Sequence, residues 1–154
     1  MCRYPLFYKF DEYISVEKIK DVENVFACSK EFYDRESEKM LDDNYIFSLI
    51  LPDSSEKRRI IEQYLIDNYI NYRVDIELPN SNLLKKLILN GVGIGYINKK
   101  SIKTEIENNE IVVLDRFKNV PFDNITIIYN SKRKNKIVVN FIRLLKKTIG
   151  KINS

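Results

Sequence analysis

The chain has 154 residues, about the size of one domain. With 26 basic and 22 acidic groups it carries a formal charge of +4, and 44% of its residues are apolar, an ordinary soluble composition. Histidine is absent, which excludes a Ser-His-Asp triad, a Cys-His pair and any zinc site that needs imidazole.

Residues 1–20 mix aromatics and charges without a clear period and read as irregular, although Ile14, Val16 and Ile19 hint at a short strand. Residues 25–28 (VFAC) form an apolar run of strand length, and Ser29 can cap a short helix over residues 30–33. Asp42, Asn44 and the Asp between them make a turn, after which residues 45–51 read as a buried strand ending at Pro52. Pro52, Asp53, Ser54 and Ser55 then form a loop that opens a helix carrying Ile60, Ile61, Tyr64, Leu65 and Asn68 on one side. Residues 72–78 alternate, with Val74, Ile76 and Leu78 on one face of a strand. Ser81 or Asn82 caps a helix with Leu83, Leu84, Leu87 and Ile88 at helical intervals, and Gly91 stops it. A strand follows to Ile97, then a short helix over residues 101–108, a strand at 111–114 and a longer strand at 125–130. The chain closes with an amphipathic helix over residues 137–149, with Val138, Phe141, Ile142 and Leu145 on one face. Strand and helix in alternation predict an α/β layer fold with a mostly parallel sheet flanked by helices.

Gly91, Gly93 and Gly95 invite a phosphate-binding reading, but they follow a helix and enter a strand, the reverse of the dinucleotide fingerprint. They read as structural: Gly91 as a left-handed helix stop, Gly93 and Gly95 as points of close packing between strand and helix. Acidic neighbours such as Asp42 and Asp43, or Glu36 and Glu38, read as solvated, and Cys28 as an inert buried thiol. No catalytic residue, metal ligand or cofactor is expected. The loop of Pro52, Asp53, Ser54 and Ser55 has binding potential, because it lies at the carboxyl end of a strand, where open α/β sheets take small anionic or polar ligands.

Charge is uneven. Residues 1–78 hold 11 basic against 17 acidic groups, a balance of −6, while residues 79–154 hold 15 against 5, a balance of +10. Lys132, Arg133, Lys134, Lys136, Arg143, Lys146, Lys147 and Lys151 supply much of the excess; they read as a solvated face, with a nucleic-acid surface as the alternative. Two cysteines, no run of ~20 apolar residues and no apolar segment in residues 1–10 predict a cytoplasmic protein with reduced thiols and no membrane contact.

The ordered series VFACSKEFY (25–33), the strand and loop up to Ser55, Arg58 with Ile61 and Glu62, and above all SNLLKKLILNGVGIGYI (81–97) resembles the effector-binding domain of LysR-type transcriptional regulators. The likeness runs over about residues 22–148. It implies a fold similar to type 2 periplasmic binding proteins, in which two α/β lobes joined by crossing strands close on a small molecule. Residues 1–22 would be a remnant of the first lobe or a linker, residues 23–128 the second lobe, and residues 129–154 the hinge-strand end and a helix returning to an incomplete first lobe. The resemblance points Pro52, Asp53, Ser54 and Ser55 at the effector.

The function so implied is effector sensing without catalysis, in a piece lacking the helix-turn-helix through which the family contacts DNA. The unfinished lobe would expose an apolar face of the last helix, so self-association is expected. The alternatives are a small nucleic-acid-binding protein using the basic C-terminal segment, or a solute-binding lobe of the same fold.

Overall fold

The computed structural model describes residues 13–53, 56–79, 83–130, 132 and 135–151. Ser54, Ser55, Ser81, Asn82, Arg133 and Lys134 of the sequence reading lie outside the described residues, as do residues 1–12. The chain divides into two compact units, residues 22–123 and residues 1–21 with 124–154.

The larger unit is built on a five-stranded sheet in the order β4-β3-β5-β2-β6. Its strands are β2 (Asn24–Ser29), β3 (Phe47–Pro52), β4 (Tyr72–Leu78), β5 (Ile94–Asn98) and β6 (Ile111–Val113). Every residue of β2 is buried, because the strand is covered on both faces. Phe26 and Cys28 point into one core with Phe32, Leu49, Leu51, Ile61 and Leu65, while Val25 and Ala27 join Ile50, Leu84, Ile88 and Ile102 on the other side. The first core is covered by α1 (Lys30–Glu36) and α2 (Glu56–Asp67), the second by α3 (Leu84–Leu89) and the 3-10 turn Lys99–Ile102 that leads into α4 (Lys103–Glu107). The Ser29 hydroxyl accepts from the Phe32 N–H at 3.1 Å, so α1 starts where a capping serine was read in the sequence.

The sheet is mixed but runs mostly one way, as expected. Strand β3 is parallel to β4 and β5, but β2 is antiparallel to both β5 and β6. Four strands therefore share one direction and β2 alone opposes them, set between β5 and β6. Its direction is fixed by long-range pairing, Asn24 opposite Asn98 and Ala27 opposite Val113.

Gly91 has φ +68°, and the Gly91 and Val92 N–H groups donate to Ile88 and Leu87 carbonyls, the paired bonds of a Schellman stop. A Cβ on Gly95 would lie 2.5 Å from Ile88 Cδ1 and 2.7 Å from Leu84 Cδ1, so here the helix sits directly on the strand. Gly93 differs from the helix contact expected of it: a Cβ there would meet the backbone oxygen of Ser48 on β3 at 3.1 Å.

The other unit contributes a two-stranded sheet of β1 (Ile14–Val22) and β7 (Asp123–Asn130), whose first residue still belongs to the larger unit, and the helix α5 (Lys136–Lys151). A nine-residue β1 replaces the irregular segment expected. On α5, Ile142 is buried and Val138 and Leu145 half-buried, but Phe141 leaves the face predicted for it and joins Ile137 and Leu144 in an exposed apolar stripe. Among the described residues no helix is long and apolar enough to cross a membrane.

Candidate functional site

From β3 the chain runs through α2 outward to edge strand β4, then through α3 on the opposite face back to β5 on the other side of β3. The winding reverses between β3 and β5, and a crevice opens outside the carboxyl ends of strands at such a reversal. A cavity of about 210 Å³ lies there, lined by Leu51 and Pro52 from β3, Leu78 and Pro79 from the end of β4, Leu84, Tyr96 and Lys57.

Pro52 thus lines the cavity. Asp53 follows it with an exposed side chain, and its N–H donates to the Leu78 carbonyl at 3.0 Å, extending the β3–β4 pairing by one residue. Ser54 and Ser55 fall outside the described residues. The loop is braced by Arg58, whose Nη1 donates to the Pro52 carbonyl at 3.0 Å and to Glu77 at 3.1 Å while Nε donates to Glu62 at 2.7 Å. Burial opposes the Arg58 charge, but the hydrogen bonds to Glu62 and Glu77 outweigh it and raise the guanidinium pKa above its ordinary value. One side chain therefore holds the end of β3, the first turns of α2 and strand β4 in register.

The sequence reading did not single out Lys57 and Tyr96, which line the cavity, or their partners Asp123 and Asn24. Lys57 Nζ lies 2.7 Å from Asp123 Oδ2 and 5.2 Å from the centre of the Tyr96 ring. The Tyr96 hydroxyl accepts from Asn24 Nδ2 at 2.9 Å and donates to the Pro121 carbonyl at 2.7 Å. Asn24 is buried, so this chain of bonds answers a polar group that would otherwise be costly. The only advance signal was a polar Asn directly before the apolar run of residues 25–28.

A larger, open cleft of about 690 Å³ lies away from this point, between α1, the end of α2 and the segment after β6, with Met40, Phe47, Ile70, Leu114 and Arg116 on its walls. Arg116 is paired there with Asp43 at 3.2 Å. Cys28 has no role in either place: burial pushes its thiol up to about 12, so it stays protonated and unreactive near neutrality. In the smaller unit Lys146 is paired with Glu17, and Lys132 Nζ sits 3.2 Å from the centre of the Tyr13 ring.

The family model for the LysR substrate binding domain matches residues 11–150. The chain belongs to that family. No curated protein matches it. Among solved structures of LysR-type regulators, it is similar to the regulatory domain of HypT from Salmonella typhimurium in its apo form, with 16% identity and a TM-score of 0.69 over 90% of this chain and 66% of that one. Full-length HypT, described as a hypochlorite-specific LysR-type transcriptional regulator, gives 18% identity and a TM-score of 0.67 over 89% of this chain and 47% of that one. The CcmR regulatory domain of Synechocystis PCC6803, in complex with 2-PG, gives 18% identity and a TM-score of 0.66 over 90% of this chain and 68% of that one. At these identities the likeness speaks to the fold. The chain spans about two thirds of such LysR regulatory domains and 47% of the full-length regulator.

Proposed function

We propose that this chain is an effector-sensing part of a LysR-type transcriptional regulator, working in the cytoplasm without catalysis, which takes a small molecule at the loop of Pro52, Asp53, Ser54 and Ser55. The observation that carries this reading is the cavity beside Pro52, at the reversal point of the sheet, in a member of a family defined by substrate binding. In this reading residues 23–128 form the second lobe, residues 1–22 a remnant of the first lobe or a linker, and residues 129–154 the hinge-strand end and closing helix. The compactness of residues 22–123 supports the middle assignment. DNA contact belongs to a helix-turn-helix outside these residues, and the exposed stripe on α5 supports self-association.

The test is thermal unfolding against a panel of small metabolites of negative, neutral and positive charge. A ligand at a hundred times its Kd adds about 2.7 kcal/mol of stability. At least one panel member raises the Tm, and Pro52→Ala combined with Lys57→Ala removes the shift while leaving the unliganded Tm within a few degrees. A panel without any stabilising member, or a shift that survives the double substitution, overturns the reading.

A further inference from the structure

We propose that Lys57 makes the cavity beside Pro52 selective for a small anion with a short apolar tail, and that this anion draws Lys57 away from Asp123 at the root of β7. The proposal rests on the effector-binding reading above and names its ligand class and the first step of its response.

Among the described residues, Lys57 is the one charged side chain lining the cavity. The rest of the lining among the described residues is aliphatic or proline apart from Tyr96, whose hydroxyl is bonded to Asn24 and Pro121. A cation in an apolar lining sets the sign of what enters, because a ligand cation there meets repulsion and a neutral one gains nothing from the ammonium. At about 30 Å³ per heavy atom, 210 Å³ holds about seven heavy atoms, the size of a short-chain carboxylate.

The present partner of Lys57 can be exchanged. The Lys57–Asp123 pair is 2.7 Å long, with side chains 44% and 37% exposed, and solvent-exposed pairs of this kind hold weakly. A carboxylate inside the cavity meets the same ammonium in a drier setting and competes with Asp123 for it. Asp123 opens β7, and Pro121, two residues before it, is tied through the Tyr96 hydroxyl to Asn24, which opens β2. Occupancy is thereby read at the start of the strand that leaves the larger unit.

The experiment titrates butyrate, butyramide and butylammonium into the isotope-labelled chain by NMR, and follows amide exchange in β7, for wild type, Lys57→Gln and Asp123→Asn. Butyrate shifts the amides of Leu51, Lys57, Leu78 and Tyr96 saturably, and the neutral and cationic analogues do not. Lys57→Gln weakens butyrate at least about tenfold, and Asp123→Asn, which removes the competitor, tightens it about two- to five-fold. Exchange in β7 speeds up with butyrate in wild type and without it in Asp123→Asn. Equal binding of butyramide, an unchanged affinity in Asp123→Asn, or β7 exchange that ignores both changes overturns the proposal. If a neutral or cationic metabolite stabilises the chain through Pro52 while butyrate does not bind, the effector reading stands and this proposal fails; if nothing in either set binds, both fail.

Discussion

Two strands of similar length show how differently the two units are made. All six residues of β2 are buried between helices on both faces of its sheet, whereas no residue of β7 is fully buried and Ile125 and Ile128 are exposed. The helices repeat the contrast. On α2, Ile61 and Leu65 are sealed into a core, while on α5 the stripe of Ile137, Phe141 and Leu144 stands in solvent. Among the described residues, nearly all of the buried core therefore lies in residues 22–123. Among the described residues, the two-stranded sheet and single helix of the other unit bury little apolar area.

The contrast is broken most sharply by deleting one aromatic ring from each unit. Phe26 is 1% exposed and packs on Phe117, Tyr96 and Tyr64. Phe26→Ala costs about 3–5 kcal/mol in urea unfolding, whereas Phe141→Ala changes stability by no more than about 0.5 kcal/mol. Comparable losses at both positions mean that α5 has a partner this account lacks.

A smaller effect comes from overfilling the larger unit. Gly95→Val drives its side chain into Ile88 and Leu84 and costs about 1–3 kcal/mol. Gly91→Ala meets the positive φ of the helix stop and costs about 1 kcal/mol. Circular dichroism melts rank the two, and the reverse order contradicts the close seating of α3 on β5.

The effect that is smallest near neutrality grows only in alkaline solution. Burial lifts Cys28 from 9.0 to about 12 and Tyr64 from 10.0 to about 12. Both hold protons in the folded unit that the unfolded chain releases, so their contribution is complete below about pH 9 and is lost as pH rises toward about 12. Cys28→Ala with Tyr64→Phe flattens this decline in a series of urea midpoints, and an unchanged slope contradicts the burial of the two groups.

How much of this was legible in the sequence depended on range. Strand β4 was readable to the residue, because Val74, Ile76 and Leu78 alternate with charges, and the Ser29 cap announced α1. Strand β1 is hard to read because Lys18 and Lys20 interrupt its apolar positions and its partner, β7, lies about a hundred residues away. Tyr45 and Ile46 were assigned to β3, but the Tyr45 N–H closes a turn onto the Asp42 carbonyl. The direction of β2 was hidden because it depends on the pairing of Asn24 with Asn98, far along the chain. The site divided in the same way. The place of Pro52 at the end of β3 is visible from local order, whereas Lys57 is one lysine among many and meets Asp123 only through the fold.

The central claim, that this LysR-family chain takes its ligand at the carboxyl ends of β3 and β4, is tested most directly by mapping a bound ligand. Using the panel member that raises the Tm most, amide and methyl shifts are followed by NMR across the whole chain. The account predicts that the saturating changes centre on Leu51, Lys57, Leu78 and Tyr96. Changes centred instead on Met40, Leu114 and Arg116 contradict it.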